Sequence, residues 1–131
     1  MEQRIINPWK WQDQFGFVQA HEISGGQRVL YCAEQASVDA EGRPAHAGNM
    51  RAQVNQALDN PEKVLAEGGF NLSQVVRLNY YTTNVDQLIA NWDAITNRLA
   101  QARCRPSSTL LGVSRLAFSE LLVEIEATAV Q

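Results

Sequence analysis

The chain has 131 residues, of which 45% are hydrophobic, and a formal net charge of −3. That length suits one domain, residues 1–131, with enough apolar side chains to build a core. The acidic balance, with a pI near 5.3, leaves no basic footprint for nucleic acid, and no apolar run approaches the ~18 residues of a membrane span.

The opening MEQRIINPWKWQD is polar and carries no apolar stretch of a secretory leader. Within it, Arg4, Ile5 and Ile6 form a short edge-strand candidate closed by Asn7-Pro8. Trp9 and Trp11 sit two apart and are read as a cover over the core mouth. Strand-like runs at 15–23 and 27–35 flank Ser24-Gly25-Gly26, which predicts a hairpin because glycine adopts positive φ without a Cβ penalty. Residues 38–48 read as a loop.

Residues 49–68 predict the first helix, with Met50, Val54, Ala57, Leu58, Val64 and Leu65 on one stripe. Pro61 falls inside it and predicts a kink near Asn60 or two shorter helices. Residues 74–83 form a further strand. Asn84, with Gln87 three residues on, then caps a second helix whose stripe is Leu88, Ile89, Trp92, Ile95 and Leu99.

The end of the chain, RPSSTLLGVSRLAFSELLVEIEATAV, alternates cleanly. Leu121, Val123, Ile125, Ala127 and Ala129 share one strand face, and Leu122, Glu124, Glu126, Thr128 and Val130 share the other. With 108–116 also strand-like, the two runs predict a terminal antiparallel hairpin. The full order predicts an α+β two-layer sandwich, a roughly six-stranded mixed sheet with two helices on one face. The uncovered face argues for burial between subunits.

Cys32 and Cys104 lack CxxC spacing and read as reduced thiols of a cytoplasmic protein. His21 and His46 have no partner at metal-ligand spacing. No metal and no cofactor is predicted.

A proline, short residues, a Val-x-Arg-Leu strand, a loop and VEIEA together resemble the RidA/YjgF family, as does the helix start GNxRAQ…ALDN. The resemblance covers nearly the whole chain. It implies a chorismate-mutase-like fold, a homotrimer with clefts between subunits, and an enamine or imine deaminase acting on a small molecule. The charge balance and the lack of a long apolar run, rather than the resemblance, predict no nucleic-acid and no membrane partner. By resemblance Glu124 is the water-orienting acid. The family's carboxylate-binding arginine is replaced by Ser108, beside Thr109, and two neutral hydroxyls are a poor substitute for a charged bidentate clamp. Phe17 stands where the family often carries a tyrosine, and Glu34 stands for a glycine in the strand end Cys32-Ala33-Glu34-Gln35. These substitutions predict a pocket retuned for another ligand, with Phe17, Cys32, Glu34, Ser108 and Thr109 as its lining. Arg105 is the one candidate surrogate arginine, although its odd spacing from Ser108 turns it to the opposite face.

Without the resemblance, Glu124 and Glu126 read as a solvated strand face and Cys32 as a core thiol. Three functions compete: an imine/enamine hydrolase, a non-catalytic small-molecule binding or sensing trimer, and a pure interaction or chaperone-like protein that takes no ligand. The sequence names no substrate.

Overall fold

The structure, a computed structural model, describes residues 1–26 and 28–131; Gln27, the first residue of one predicted strand, lies outside them. Strand β1 (Glu2–Ile6) is followed by a 3-10 turn (Trp11–Phe15), β2 (Ala20–Ser24) and β3 (Val29–Ala36). Helix α1 (Met50–Glu67) leads to β4 (Val75–Thr82), then α2 (Val85–Ala90) and α3 (Trp92–Gln101). Strands β5 (Ser107–Gly112) and β6 (Val123–Val130) complete the chain.

The predicted α+β class holds, with the strands divided between two sheets rather than joined in one. The larger sheet has the order β3-β6-β4-β5, and β1 and β2 form a separate two-stranded sheet. Among the described residues β2 does not pair with β3 across Ser24-Gly25-Gly26 as expected; it pairs antiparallel with β1, from Glu2 opposite Ser24 to Ile6 opposite Ala20. The turn still needs its glycines. Gly25 has φ +71°, and a Cβ on Gly26 would lie 2.7 Å from Val130 Cγ1.

The terminal hairpin is also corrected. β5 pairs in parallel with β4, and β6 lies between β3 and β4, antiparallel to both. A strand–helix–strand unit returns its second strand parallel to the first, so β4, the helices and β5 form the crossover. Residues 113–122 then carry the chain back across β4.

One face of the larger sheet is the core. Leu78, Tyr80, Val123, Ile125, Ala127 and Ala129 pack against Met50, Val54, Leu58, Leu65, Leu88, Ile95 and Leu99. All are at most 3% exposed, and each large side chain contributes about 1.5–3 kcal/mol by leaving water. Val64, placed on the same stripe by periodicity, is 38% exposed.

Helix α1 passes through Pro61 without dividing, and Pro61 is buried within it. Asn60 turns its side chain off the helix instead, donating to the carbonyls of Ala36 (2.8 Å) and Val38 (3.2 Å). The second helix does divide. Asn84 caps α2 by accepting from Gln87 N–H, as predicted. At Asn91 the side-chain amide takes the Gln87 carbonyl at 2.9 Å, while the backbone N–H goes to Leu88 O. A side chain competing for the helical acceptor separates α2 from α3.

Trp9 and Trp11 do not cover the core. They are 58% and 55% exposed, and Trp11 meets Phe17 edge-on at 5.9 Å.

Candidate active site

Strand alternation sends Glu124, Glu126 and Thr128 of β6 to the face away from the helices, with Arg77, Asn79 and Tyr81 of β4 beside them. Edge strand β5 adds Thr109, opposite Asn79. On the other edge, β3 changes register between Cys32 and Gln35. This irregularity sets Glu34 close enough to Glu124 and Glu126 for their charges to act on it.

Glu124 is only 8% exposed. Its one N–H donor among the described residues is Ala117, at 3.4 Å, and no Lys or Arg forms an ion pair with it there. Burial, then the charges of Glu124 and Glu126, push the Glu34 carboxyl above its ordinary range. Glu126 is different. The Tyr81 hydroxyl and the Asn79 amide donate to it, at 2.5 and 2.9 Å, and hold its carboxyl below the usual range. The same bond raises the Tyr81 phenol, keeping it a donor. Arg77 donates to Thr109 Oγ1 at 2.8 Å and to Ser107 Oγ at 3.4 Å. Glu126 is thus a satisfied structural carboxylate, and Glu34 and Glu124 form a carboxyl pair with little protein partnership.

Ser108 and Phe17 lie elsewhere. Ser108 pairs with Leu78 on the opposite sheet face. With Phe15, Phe17, Tyr80, Trp92 and Leu110 it lines a cleft of about 190 Å³. Trp92 Nε1 donates to Phe15 O at 3.0 Å and its ring meets Tyr80 at 4.9 Å, which fixes the aromatic wall. Cys32 is in the core, opposite Ala127, and burial raises its thiol. Arg105 borders a third cleft with Gly16, Leu99 and Cys104, where it pairs with Asp13 at 2.8 Å. Within one chain, then, Glu124, Glu34 and Thr109 share the open face, and Phe17 and Ser108 share the aromatic cleft. Cys32 and Arg105 join neither group.

Sequence reasoning passed over Arg77, Asn79 and Tyr81. Their signal was available, since every second residue of β4 is polar or amphipathic while Leu78 and Tyr80 are buried. The helix-start motif also acquires a purpose. Gln53 is fully buried. It donates to His46 O (3.2 Å) and Glu120 O (2.9 Å) and accepts from Leu122 N–H (2.8 Å). Asn60 holds the strand end after Glu34, and Gln53 holds the approach to Glu124. One helix therefore sets both members of the carboxyl pair. Neither histidine is near it: His21 Nε2 contacts Arg105 O at 2.7 Å, and His46 sits in the loop before α1 with φ +61°.

Known proteins share this fold. The protein mmf1, mitochondrial, of Schizosaccharomyces pombe is 28% identical over 96% of this chain and 75% of its own length. The solved structure of YyfB from Yersinia pestis, described as a conserved Rid-family protein of unknown function, is 35% identical with full coverage of both chains and a TM-score of 0.89. Escherichia coli TdcF, solved with bound serine, shares the fold at 18% identity and a TM-score of 0.71, over 88% of this chain and 87% of its own. Residues 14–131 match the profile of the family described as Endoribonuclease L-PSP. The chain belongs to that family, the RidA/YjgF group.

Proposed function

We propose that the chain is a small-molecule hydrolase of the imine/enamine deaminase type, working as a homotrimer with its sites between copies. The observation that carries the reading is Glu124, a carboxylate buried on a sheet face with one long N–H contact and no cation beside it. A buried carboxylate costs free energy unless it is partnered, so its retention points to a task outside the fold. The chemistry is economical. Glu124 orients a water and takes its proton as the oxygen adds to the C=N carbon. The nitrogen is protonated, the C–N bond breaks, ammonia leaves and a carbonyl compound remains.

The Glu124 group and the Phe17–Ser108 group occupy opposite faces of one chain, so a second copy is needed to bring them to one ligand. The exposed side chains of Tyr31, Val29 and Leu111 on the open face (79%, 48% and 49%) suit burial against that copy. TdcF, which shares the fold, was solved with bound serine, and this supports a small metabolite as the ligand. The two free, buried thiols suit the cytoplasm, and no helix among the described residues is long and apolar enough to cross a membrane.

A second reading, a non-catalytic binding or sensing trimer, is favoured by Ser108, whose hydroxyl cannot clamp a carboxylate. The deciding assay generates imino acids with an amino-acid oxidase and traps them with semicarbazide. Faster loss of the imine with the unmodified protein, abolished in Glu124→Ala, supports the hydrolase. Silence in the unmodified protein, with activity in Ser108→Arg, supports the binding trimer.

A further inference from the structure

Four of the side-chain hydroxyls on β4 and β5 are engaged. Tyr81 donates to Glu126, Thr82 to Leu122 O at 2.7 Å and Ser107 to Val76 O at 3.1 Å, while Thr109 accepts from Arg77. The other two, Tyr80 and Ser108, make no side-chain hydrogen bond among the described residues, and both line the aromatic cleft. Tyr80 is the sharper case, because it is only 1% exposed. The side-chain atoms there that are both sealed from solvent and unpartnered are His21 Nδ1 and Asn79 Oδ1. The Tyr80 hydroxyl is not one of them, so the sliver of Tyr80 still exposed includes it, and that sliver opens on the cleft. A phenylalanine would pack against Trp92 as well and leave no polar atom to satisfy. Burial raises the Tyr80 phenol, which keeps it a neutral donor.

We propose that this cleft takes a single aromatic ring bearing a neutral oxygen, a hydroxyl or a carbonyl, to which Tyr80 and Ser108 hydrogen-bond. The inference rests on reading the Phe17–Ser108 group as half of a ligand site, and it names the part of the ligand that enters this half. The size fits. The cleft measures about 190 Å³, and an apolar cavity of about 150 Å³ holds benzene, so one ring and a short substituent fill it. Phe15, Phe17, Trp92 and Leu110 supply the walls. The Trp92 bond to Phe15 O fixes that wall before any ligand arrives. No charged side chain lines the cleft, so a charged substituent would lose water there with no counter-charge from its walls. Tyr80 and Ser108 share the sheet face one diagonal step apart, since Tyr80 pairs with Leu110 and Ser108 with Leu78. Tyr80 is therefore the specificity-determining residue, separating a ring that carries oxygen from a bare one.

Phenol and toluene are nearly equal in size and differ in the hydroxyl, so they test this as a pair by NMR titration. The indole N–H of Trp92, assigned by its loss in Trp92→Phe, reports the cleft, and both ligands are expected to shift it. In Tyr80→Phe the phenol affinity should fall about three- to tenfold, with toluene affinity unchanged. Ser108→Ala should act in the same direction. Tyr80→Phe is expected to melt no lower than the unmodified protein, because its hydroxyl has no protein partner to lose. Phenol that leaves the Trp92 signal in place overturns the proposal. So does a folded Tyr80→Phe that binds phenol as tightly as the unmodified protein, or that loses toluene to the same extent as phenol. Light scattering on the same samples reports the assembly. Phenol binding that depends on Tyr80 in a monomer supports the proposal and overturns the two-copy site, whereas an assembled protein indifferent to Tyr80→Phe overturns the proposal alone.

Discussion

Gln53 Oε1 accepts the backbone N–H of Leu122 at 2.8 Å, joining the second turn of α1 to the residue two before Glu124. The same amide donates to Glu120 O at 2.9 Å, so one buried side chain satisfies both polar directions of the loop that enters β6. Replacing it with leucine leaves those backbone groups unpaired in a dry site. Gln53→Leu is expected to cost about 2–3 kcal/mol of stability in urea unfolding. In a variant that stays folded, the hydrogen-exchange protection of Leu122 N–H should fall first.

The carboxyl pair makes a signed prediction with pH. Glu34 has a folded-state pKa above its ordinary value, so the native state holds a proton that the unfolded chain has released. Stability contributed by this group therefore falls as pH rises from the ordinary glutamate range through the raised folded value. Glu34→Gln removes the repulsion. It should raise the melting temperature at pH 7 and leave it nearly unchanged at pH 4. Glu126 works in the opposite sense. Its lowered carboxyl stabilises the fold above the ordinary range and loses that contribution as pH falls through its folded value.

Thiol chemistry should be silent in the folded protein. Cys32 is 7% and Cys104 2% exposed, and burial pushes Cys104 up to about 12. Thiolate, the reactive form, is then scarce at neutral pH. A chromogenic disulfide reagent at pH 8 should label neither cysteine until denaturant is added, and both afterwards.

Arg98 on α3 reaches across to α1, contacting Asp59 at 2.7 Å and Glu62 at 2.8 Å. Both carboxylates are more than 40% exposed, so water screens much of the attraction. Arg98→Ala is expected to cost about 1 kcal/mol, and the loss should shrink in high salt.

The parts of this fold legible in the sequence are those set by local pattern. The apolar stripe of α1, the Asn84 cap and the alternation of β6 each depend on residues a few positions apart. Strand partners were not legible in the same way. Residues 20–24 carry nothing that selects β1 over β3, since either pairing satisfies the same backbone groups. The β5 placement had a usable signal, the helix between it and β4, but the shorter path to β6 obscured it. At the site, Glu124 was legible through the VEIEA motif. Its pairing with Glu34 was not, because it depends on a strand irregularity between Cys32 and Gln35 that no turn residue announces.

Ser108 and Glu124 lie on opposite faces of a single sheet, which bears on inheritance as well as on chemistry. On the proposed site between copies, a defect in either face is a defect in half a site. Two alleles damaged on different faces, Ser108→Trp in one and Glu124→Ala in the other, should therefore rescue one another when their products assemble together. Around any mixed ring some boundary joins an intact Phe17–Ser108 face to an intact Glu124 face, and ligand binding returns there. Two alleles damaged on the same face have no such boundary. Co-refolding the two purified variants, against each refolded alone, measures the difference directly.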